Sequence, residues 1–484
     1  MSSTTNRLQR GTGIFVVLMA TAAAGMLWFA LTLTDPEARR PAKEGAVFGV
    51  WQVLYDTQAP STQLLVAAIG LALLLAAGVA LVESRITKRY RRSENSGETP
   101  LAPKLVMART AGVYHGPVTV TVLIPAHNEE DRIVATLASL QEQTSRPDRV
   151  VVVADNCTDA TEELARAAGV EVFTTVDNAH KKAGGLNQAL ASLLPELGEN
   201  DTVMVMDADT VIGRQYLETA KQRMTEDRAL MAIGGLFMGE DGHGLIGQFQ
   251  RNEYIRYSRD IKRRRGRLFV LTGTASVFRS AALREVAAQR GRLLPGVPGD
   301  VYDTVALTED NELTLALKSL GALMTSPAEC TVVTEVMPTW RAIWHQRLRW
   351  QRGALENLGA YGLTPQTSRY WVQQFGIGYG SVALLSYYAA IFTMAVSLDD
   401  WVWFPFWLGV GGLFMVERVV TAWRGGWRAR LVAATLFPEL VYATFLNVVF
   451  LKGVVDILVG RQAQWSHVTR SADGKVVVRD GQHA

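Results

Sequence analysis

The sequence predicts an α/β domain with a mixed, mostly parallel sheet, flanked on both sides by transmembrane helices. Three observations predict it. Between residues 117 and 340, β-branched runs alternate with stretches of helical spacing. Long apolar runs lie before and after that region. Polar side chains collect where the strand-like runs stop. The averages conceal this division: 48% of the 484 residues are hydrophobic, 20% are charged, and the mean hydropathy is +0.09. A net charge of +3, from 49 basic and 46 acidic residues, is too balanced for a typical nucleic-acid binder. Two cysteines exclude a disulfide scaffold.

Residues 1–92 form the first membrane region. The runs 12–34 and 61–82 carry no charge, and each meets the roughly 20-residue length of a bilayer-crossing helix. AAAG in the first run resembles a signal-peptide cleavage site, but the apolar run continues past it. Arg85, Lys88, Arg89, Arg91 and Arg92 follow the second run. The positive-inside bias places them and the amino terminus in the cytosol. Residues 93–116, with Pro100, Pro103 and Gly112, read as a linker.

The central domain, 117–340, opens with VTVTVLIPA, a strand. The next stretch, 128–143, has helical spacing, with Ile133, Leu137 and Leu140 on one face. RVVVVADN (149–156) is a short continuous apolar run, as in strands buried on both faces. A helix over 158–169, a strand over 170–176, a helix over 183–197 and a strand over 201–210 follow. The last ends in acids and leads into another helix. In such sheets, ligands bind beyond the carboxyl ends of strands. Asn128, Asp155, Asp207 and Asp209 all stand there. No GxGxxG or GKS/GKT loop is present, which weakens dinucleotide and P-loop readings.

Asp207 and Asp209 flank Ala208. On a strand, i and i+2 share a side, and two carboxylates suit Mg²⁺ or Mn²⁺ completed by phosphate oxygens; a solvated turn is the plain alternative. Asp155 either accepts hydrogen bonds from a base or ribose, or caps the DNCTD turn. Cys157 lacks a basic partner motif. Lys181 and Lys182, just before a helix, either hold a diphosphate or are solvated. Thr308 is a candidate helix cap, Glu309 and Asp310 suit the helix dipole, and Asp310 could equally serve as a general base. QRLRWQR (346–352) offers arginines for phosphate and Trp350 for a sugar face, or forms an interfacial helix with Trp344. The basic run 261–267 reads as a loop beside the membrane or an anionic-lipid contact, not a nucleic-acid site.

Residues 341–370 read as interfacial helices and 371–460 as the second membrane region, with apolar runs at 373–397 and 401–416. The stretch 431–459, holding Pro438, Glu439, Lys452 and Asp456, is either one kinked span or a re-entrant or interfacial element. Arg418, Arg424, Arg428 and Arg430 put the preceding loop in the cytosol. A polar tail, 461–484, completes the chain.

Taken in order, IPAHNEE (124–130), DNCTD (155–159), KKAGGLN (181–187), DAD (207–209), TED (308–310) and QRLRW (346–350) resemble the membrane-embedded family 2 glycosyltransferases. These are the cellulose, chitin, hyaluronan and poly-N-acetylglucosamine synthases. The resemblance spans about 60–470. It implies a GT-A nucleotide-diphospho-sugar transferase domain, cytoplasmic and held by a multi-pass anchor in the cell membrane. It also implies a UDP-sugar donor and Mg²⁺ or Mn²⁺. Ala126, His127, Asn128, Glu129 and Asp155 would cradle the nucleoside, and Lys182 the diphosphate. Asp207 would lie by the nucleotide, with Asp209 on the metal. Asp310, with Glu309 beside it, would supply the base. Gln346, Arg349 and Trp350 would hold the diphosphate and border the acceptor. Gly273 and Thr274, in TGTASVFR, would line the acceptor cavity. The implied activity is inverting transfer to a growing β-linked polysaccharide with export, with an accessory export subunit among the implied partners; the length leaves out a fused cyclic-di-GMP-binding domain. The alternative is transfer of one sugar to a lipid acceptor. A scaffold or transporter with a degenerate domain is the non-enzymatic reading, opposed by the intact acids.

Overall fold

The computed structural model describes residues 99–461 except 112–115, 265 and 398–404. It also describes scattered helical positions between 21 and 81, and four strands near the ends. The chain divides into two units: Met1–Glu94 with Val382–Phe414, and Asn95–Ser381 with Met415–Ala484. In the first, β1 (Lys43–Val47) and β2 (Trp51–Tyr55) pair antiparallel. The apolar runs 12–34 and 61–82 lie mostly outside the described residues; the positions that are described, such as Trp28 and Leu71, are helical.

The second unit holds the sheet. Its first helix, α1 (Pro103–Thr110), lies in the stretch read as a linker. That stretch is fastened to the domain, because Leu101 N donates to Leu320 O at 2.9 Å. The strands are β3 (Thr119–Ala126), β4 (Arg149–Ala154), β5 (Glu171–Thr174), β6 (Asp201–Met206), β7 (Val211–Ile212), β8 (Leu230–Gly234), β9 (Leu236–Gly239), β10 (Ala275–Arg279), β11 (Leu323–Thr325) and β12 (Thr331–Thr334). Seven form one sheet in the order β11-β8-β10-β6-β3-β4-β5. Only β10 runs antiparallel to its neighbours, β6 and β8. A smaller sheet has the order β7-β12-β9.

Period-two alternation explains the burial. On β3, Val120, Val122 and Ile124 face one core and Leu123 the other. On β6, Met204 and Met206 face the first core, Val203 and Val205 the second. Such strands are covered on both faces, as parallel sheets require. The covering helices include α2 (Ile133–Gln141), α3 (Thr161–Ala167), α4 (Lys181–Leu193) and α5 (Tyr216–Glu226). α2, α3 and α5 start later than their apolar patterns, because the strand-end loops take residues from them, whereas α4 starts ahead of the expected 183 and gives way to a 3₁₀ turn at Leu194–Glu196. Lys181 opens α4 in the left-handed region, at φ 54°.

Then come α6 (Gly244–Arg263), α7 (Ser280–Gln289), α8 (Glu309–Ser319) and α9 (Trp340–Tyr361). They are followed by α10 (Ser368–Ser397), α11 (Pro405–Thr421), α12 (Gly426–Ala434) and α13 (Phe437–Leu458). The stretch 431–459 is not one kinked helix: the chain breaks at Leu436, φ 53°, and Pro438 sits in the first turn of α13. Among the described residues, α13 is long and apolar enough to cross a membrane. It is docked on the domain. Glu253 of α6 accepts from Arg347 of α9 at 2.9 Å and from Tyr442 of α13 at 2.7 Å. Phe249 stacks on Tyr442 at 5.0 Å, and Trp340 and Trp344 meet Phe445 edge-on. Glu439 pairs with Arg256. Beyond α13, β13 (Ser466–Arg470) and β14 (Val476–Asp480) pair antiparallel within the stretch read as a polar tail.

Candidate active site

Strand register brings the predicted loops to one edge. Ala126 of β3 lies opposite Ala154 of β4, and Leu123 opposite Val205 of β6. The loops after these strands, His127–Glu129, Asp155–Asn156 and Asp207–Asp209, therefore emerge together. Because β10 is antiparallel, its first residue pairs with Met206, so Gly273 and Thr274 arrive at the same edge.

At the β3 and β4 ends, Asp155 N donates to Ala126 O at 2.9 Å, and Cys157 Sγ to the same oxygen at 3.4 Å. His127 Nδ1 is 2.6 Å from Asp155 O. Asn128, in the left-handed region that suits Asn, accepts from Thr158 N at 2.7 Å. Asp155 is not a helix cap. It is buried, and its Oδ1 accepts from Asn178 at 2.7 Å and Thr175 at 2.9 Å. The turn is closed instead by Asp159, which accepts from Thr161 N at 3.0 Å. Burial pushes the Cys157 thiol up, which leaves it poorly nucleophilic.

β6 stops at Met206, so the alternation expected to align Asp207 and Asp209 does not apply: both sit in the following turn. Asp207 N donates to Thr274 O at 3.2 Å, and Asp207 Oδ1 accepts from Lys182 Nζ at 2.6 Å. Asp209 looks toward a second group of acids. Burial, then Asp207 and Glu335, push it up to about 7. Burial, then Asp209, Glu335 and Asp207, push Glu129 up to about 8. Like charges in low dielectric produce such shifts, and a cation among them would reverse them. Among the described residues, no three His, Cys, Asp or Glu side chains converge closely enough to hold an ion unaided. The donor set thus fits a hard divalent ion that takes further oxygen ligands from a substrate.

Lys182 does not project freely from the start of α4. It bridges Asp207 and Glu309, the second at 3.0 Å. Thr308 precedes α8 without a side-chain capping bond, and Asn357 of α9 donates to its Oγ1 at 3.2 Å. Asp310, in the first turn, accepts from Gly273 N at 3.2 Å and Asn311 N at 2.7 Å. Burial, then the Glu309 charge, push its carboxyl up to about 6. Gly273 is small for a reason: a Cβ there would lie 3.1 Å from Lys182 Nζ and 3.7 Å from Asp310 Cβ. Thr274 Oγ1 donates to Thr272 Oγ1 at 3.0 Å. Lys182, Gly273, Tyr302, Glu309 and Asp310 line one cavity.

The QRLRW segment divides its work. The Arg349 charge is felt by both Glu309 and Lys181. Gln346 accepts from Arg347 at 2.9 Å, and Arg347 lies 4.2 Å from the centre of the Trp350 ring. Sequence reasoning missed Glu335, Arg132 and Tyr302. Glu335 follows β12 as Glu240 follows β9, and Arg132 pairs with both, at 3.4 and 3.1 Å. The strand-end rule that found Asp155 would have found Glu335.

Residues 121–287 match the family described as glycosyl transferase family 2. A probable glycosyltransferase YdaM of Bacillus subtilis is 29% identical over 250 residues, covering 48% of this chain and 54% of that one. The UDP-forming cellulose synthase catalytic subunit of Komagataeibacter sucrofermentans is 28% identical over 251 residues, covering 49% of this chain and 31% of the other. The chain thus spans about half the length of the first relative and under a third of the second. A mannosyltransferase from Pyrobaculum calidifontis, solved with GDP-Man and Mn²⁺, is 17% identical with a TM-score of 0.49, covering 81% of this chain and 99% of that one. The glucosyl-3-phosphoglycerate synthase of Mycobacterium tuberculosis, solved with Mn²⁺, UDP and phosphoglyceric acid, is 16% identical with a TM-score of 0.34, covering 54% and 84%. The segment that matches the family carries the loops after β3, β4 and β6 and the Gly273–Thr274 turn, so the similarity falls on the candidate site.

Proposed function

We propose that the chain is a metal-dependent, inverting glycosyltransferase that moves one sugar from a UDP-sugar to a lipid acceptor in the membrane. The observation that carries the reading is Asp310: a half-buried carboxyl held by two backbone amides, one from Gly273, in a cavity it shares with Lys182. A carboxylate held in this way is suited to take the acceptor hydroxyl's proton as the glycosidic bond forms. A single displacement then turns an α-linked donor into a β-glycoside. Asp155, with Ala126, Asn128 and Glu129, holds the nucleoside. Lys182, Arg349 and Gln346 meet the diphosphate, and Gly273, Thr274 and Trp350 border the acceptor. Asp209 and Asp207 would hold Mg²⁺ or Mn²⁺, which when bound neutralises charge on the departing nucleoside diphosphate. Glu309 fixes Lys182 and sets the field at Asp310.

The docking of α13 on α6 and α9 supports a membrane-held acceptor, and with the uncharged runs near the amino terminus it supports a multi-pass anchor in the cell membrane with a cytoplasmic catalytic domain. A second reading, processive synthesis and export of a β-linked polysaccharide with an accessory subunit, is favoured by the cellulose synthase relatives. Product size separates the two. Purified protein given UDP-sugars and membrane lipid should yield one glycolipid species; a ladder or long chain would establish the processive reading instead.

A further inference from the structure

Arg347 stands inside QRLRW, between two residues of the proposed site, without a part in the proposed reaction. It cannot meet a substrate itself, because only 2% of its side chain is exposed. Both terminal nitrogens are engaged within the protein. One donates to Gln346 Oε1 and the other to Glu253 Oε2, each at 2.9 Å. Its Nε is buried with no hydrogen-bond partner. The guanidinium lies 4.2 Å from the centre of the Trp350 ring and 5.7 Å from that of Tyr254. A buried cation is costly unless it is paired, and Glu253 supplies the counter-charge. Trp350 is three residues on from Arg347 and four from Gln346, so both are its neighbours on the surface of α9.

The next turn of α9 reaches the base. Gly353 is three residues beyond Trp350, about 4.5 Å along the axis. A Cβ at Gly353 would lie 2.5 Å from Thr308 Oγ1. Asn357, one turn further, donates to Thr308 O and to Asn311 Oδ1, each at 3.1 Å. Thr308 and Asn311 bracket Glu309 and Asp310. The place of Trp350 on α9 is thereby tied to the start of α8.

The far end of the connection is in α13. Tyr442 donates to the same Glu253 oxygen that Arg347 meets, at 2.7 Å. Its ring stacks on Phe249 of α6, 9° from parallel. Gly453 of α13 faces α9, where a Cβ would lie 3.5 Å from Leu348 Cδ1. One carboxylate oxygen thus joins three helices: α6, which bears it, α9 through Arg347, and α13 through Tyr442.

We propose that Arg347 is a positioning residue for the acceptor side of the site: it fixes the Trp350 ring, and Tyr442 of α13 fixes Arg347 through Glu253. The inference rests on the transfer reading, which puts Trp350 beside the acceptor. A substitution in α13, outside the site, should then change how the acceptor binds.

The test labels the full chain, in detergent, with fluorotryptophan and follows the fluorine resonance of Trp350, identified by its loss in W350F. No donor or acceptor is needed for this reading. R347M should shift the resonance. Y442F, which keeps the ring and loses only the hydroxyl, should shift it by less. R347K, which keeps a cation, should stay nearer the wild-type position than R347M. An unmoved Trp350 resonance in R347M would overturn the proposal; should R347M not fold, an unmoved resonance in Y442F does the same. The second measurement is acceptor-dependent UDP release with total membrane lipid of the expression host. The KM for lipid should rise about tenfold in R347M, the scale of a buried cation–π contact, while displacement of a fluorescent UDP changes by less. Equal losses in both would mark a general loosening and overturn the positioning role. If the wild type transfers nothing, the transfer reading fails, and the fluorine resonance still decides whether Arg347 holds Trp350.

Discussion

The proposed transfer turns on Asp310 as its base. Its carboxyl is pushed up to about 6 by burial and the Glu309 charge, and the working form is the carboxylate. Transfer should therefore fall about tenfold per pH unit as pH drops below that value, read as the acidic limb of kcat/KM. Glu309→Gln removes the like charge, so the limb should move to lower pH; an unmoved limb would mean that another group titrates. Gly273→Ala tests close approach. Its Cβ would press on the end of the flexible Lys182, so the fold should survive. Lys182 would have to give by a few tenths of an ångström, which should slow transfer by less than the ~100-fold of a 1 Å misplacement, measured against unchanged thermal unfolding.

At the scale of elements, α7 and α8 are tied by Arg290, which is wholly buried. It donates to Glu312 Oε2 at 2.7 Å and to Pro295 O at 2.8 Å, while Tyr361 of α9 donates to the same carboxylate. Glu312→Gln leaves a buried guanidinium without its counter-charge. It should cost about 3–5 kcal/mol of stability, whereas Arg290→Met with Glu312→Leu should cost less than either single change. Denaturant midpoints of the three variants check this. The pair also shows what could not be read in the sequence. Arg290 and Glu312 are 22 positions apart, and no periodicity links them. The sheet was legible because period-two burial is written into 119–126 and 201–206. The loops at its carboxyl edge were legible because polar residues interrupt those runs. Element starts were not, since strand-end loops take the first turn of the α2, α3 and α5 patterns, while α4 begins ahead of its own. The Lys182 bridge was not either, because whether a lysine points to solvent or to two acids depends on α8, 127 residues later.

In the larger unit, the sheet domain and α13 are tied together through Glu253, Arg347 and Tyr442. Glu253→Gln leaves buried Arg347 without its counter-charge, so it should loosen the docking of α13; faster hydrogen exchange along Phe437–Leu458 would register it. The crowded carboxylates Glu129, Asp207, Asp209 and Glu335 predict that chelation abolishes transfer and that Mg²⁺ or Mn²⁺ restores it. The most direct measurement is UDP release by the purified full chain over a panel of UDP-sugars with Mn²⁺ and membrane lipid, in wild type and Asp310→Asn. Acceptor-dependent UDP release should occur with at least one donor, and Asp310→Asn should lower it by roughly 10²–10⁴-fold, the span of general-base contributions, while still binding UDP. Wild-type rates from Asp310→Asn would contradict the assignment of the base and the mechanism built on it.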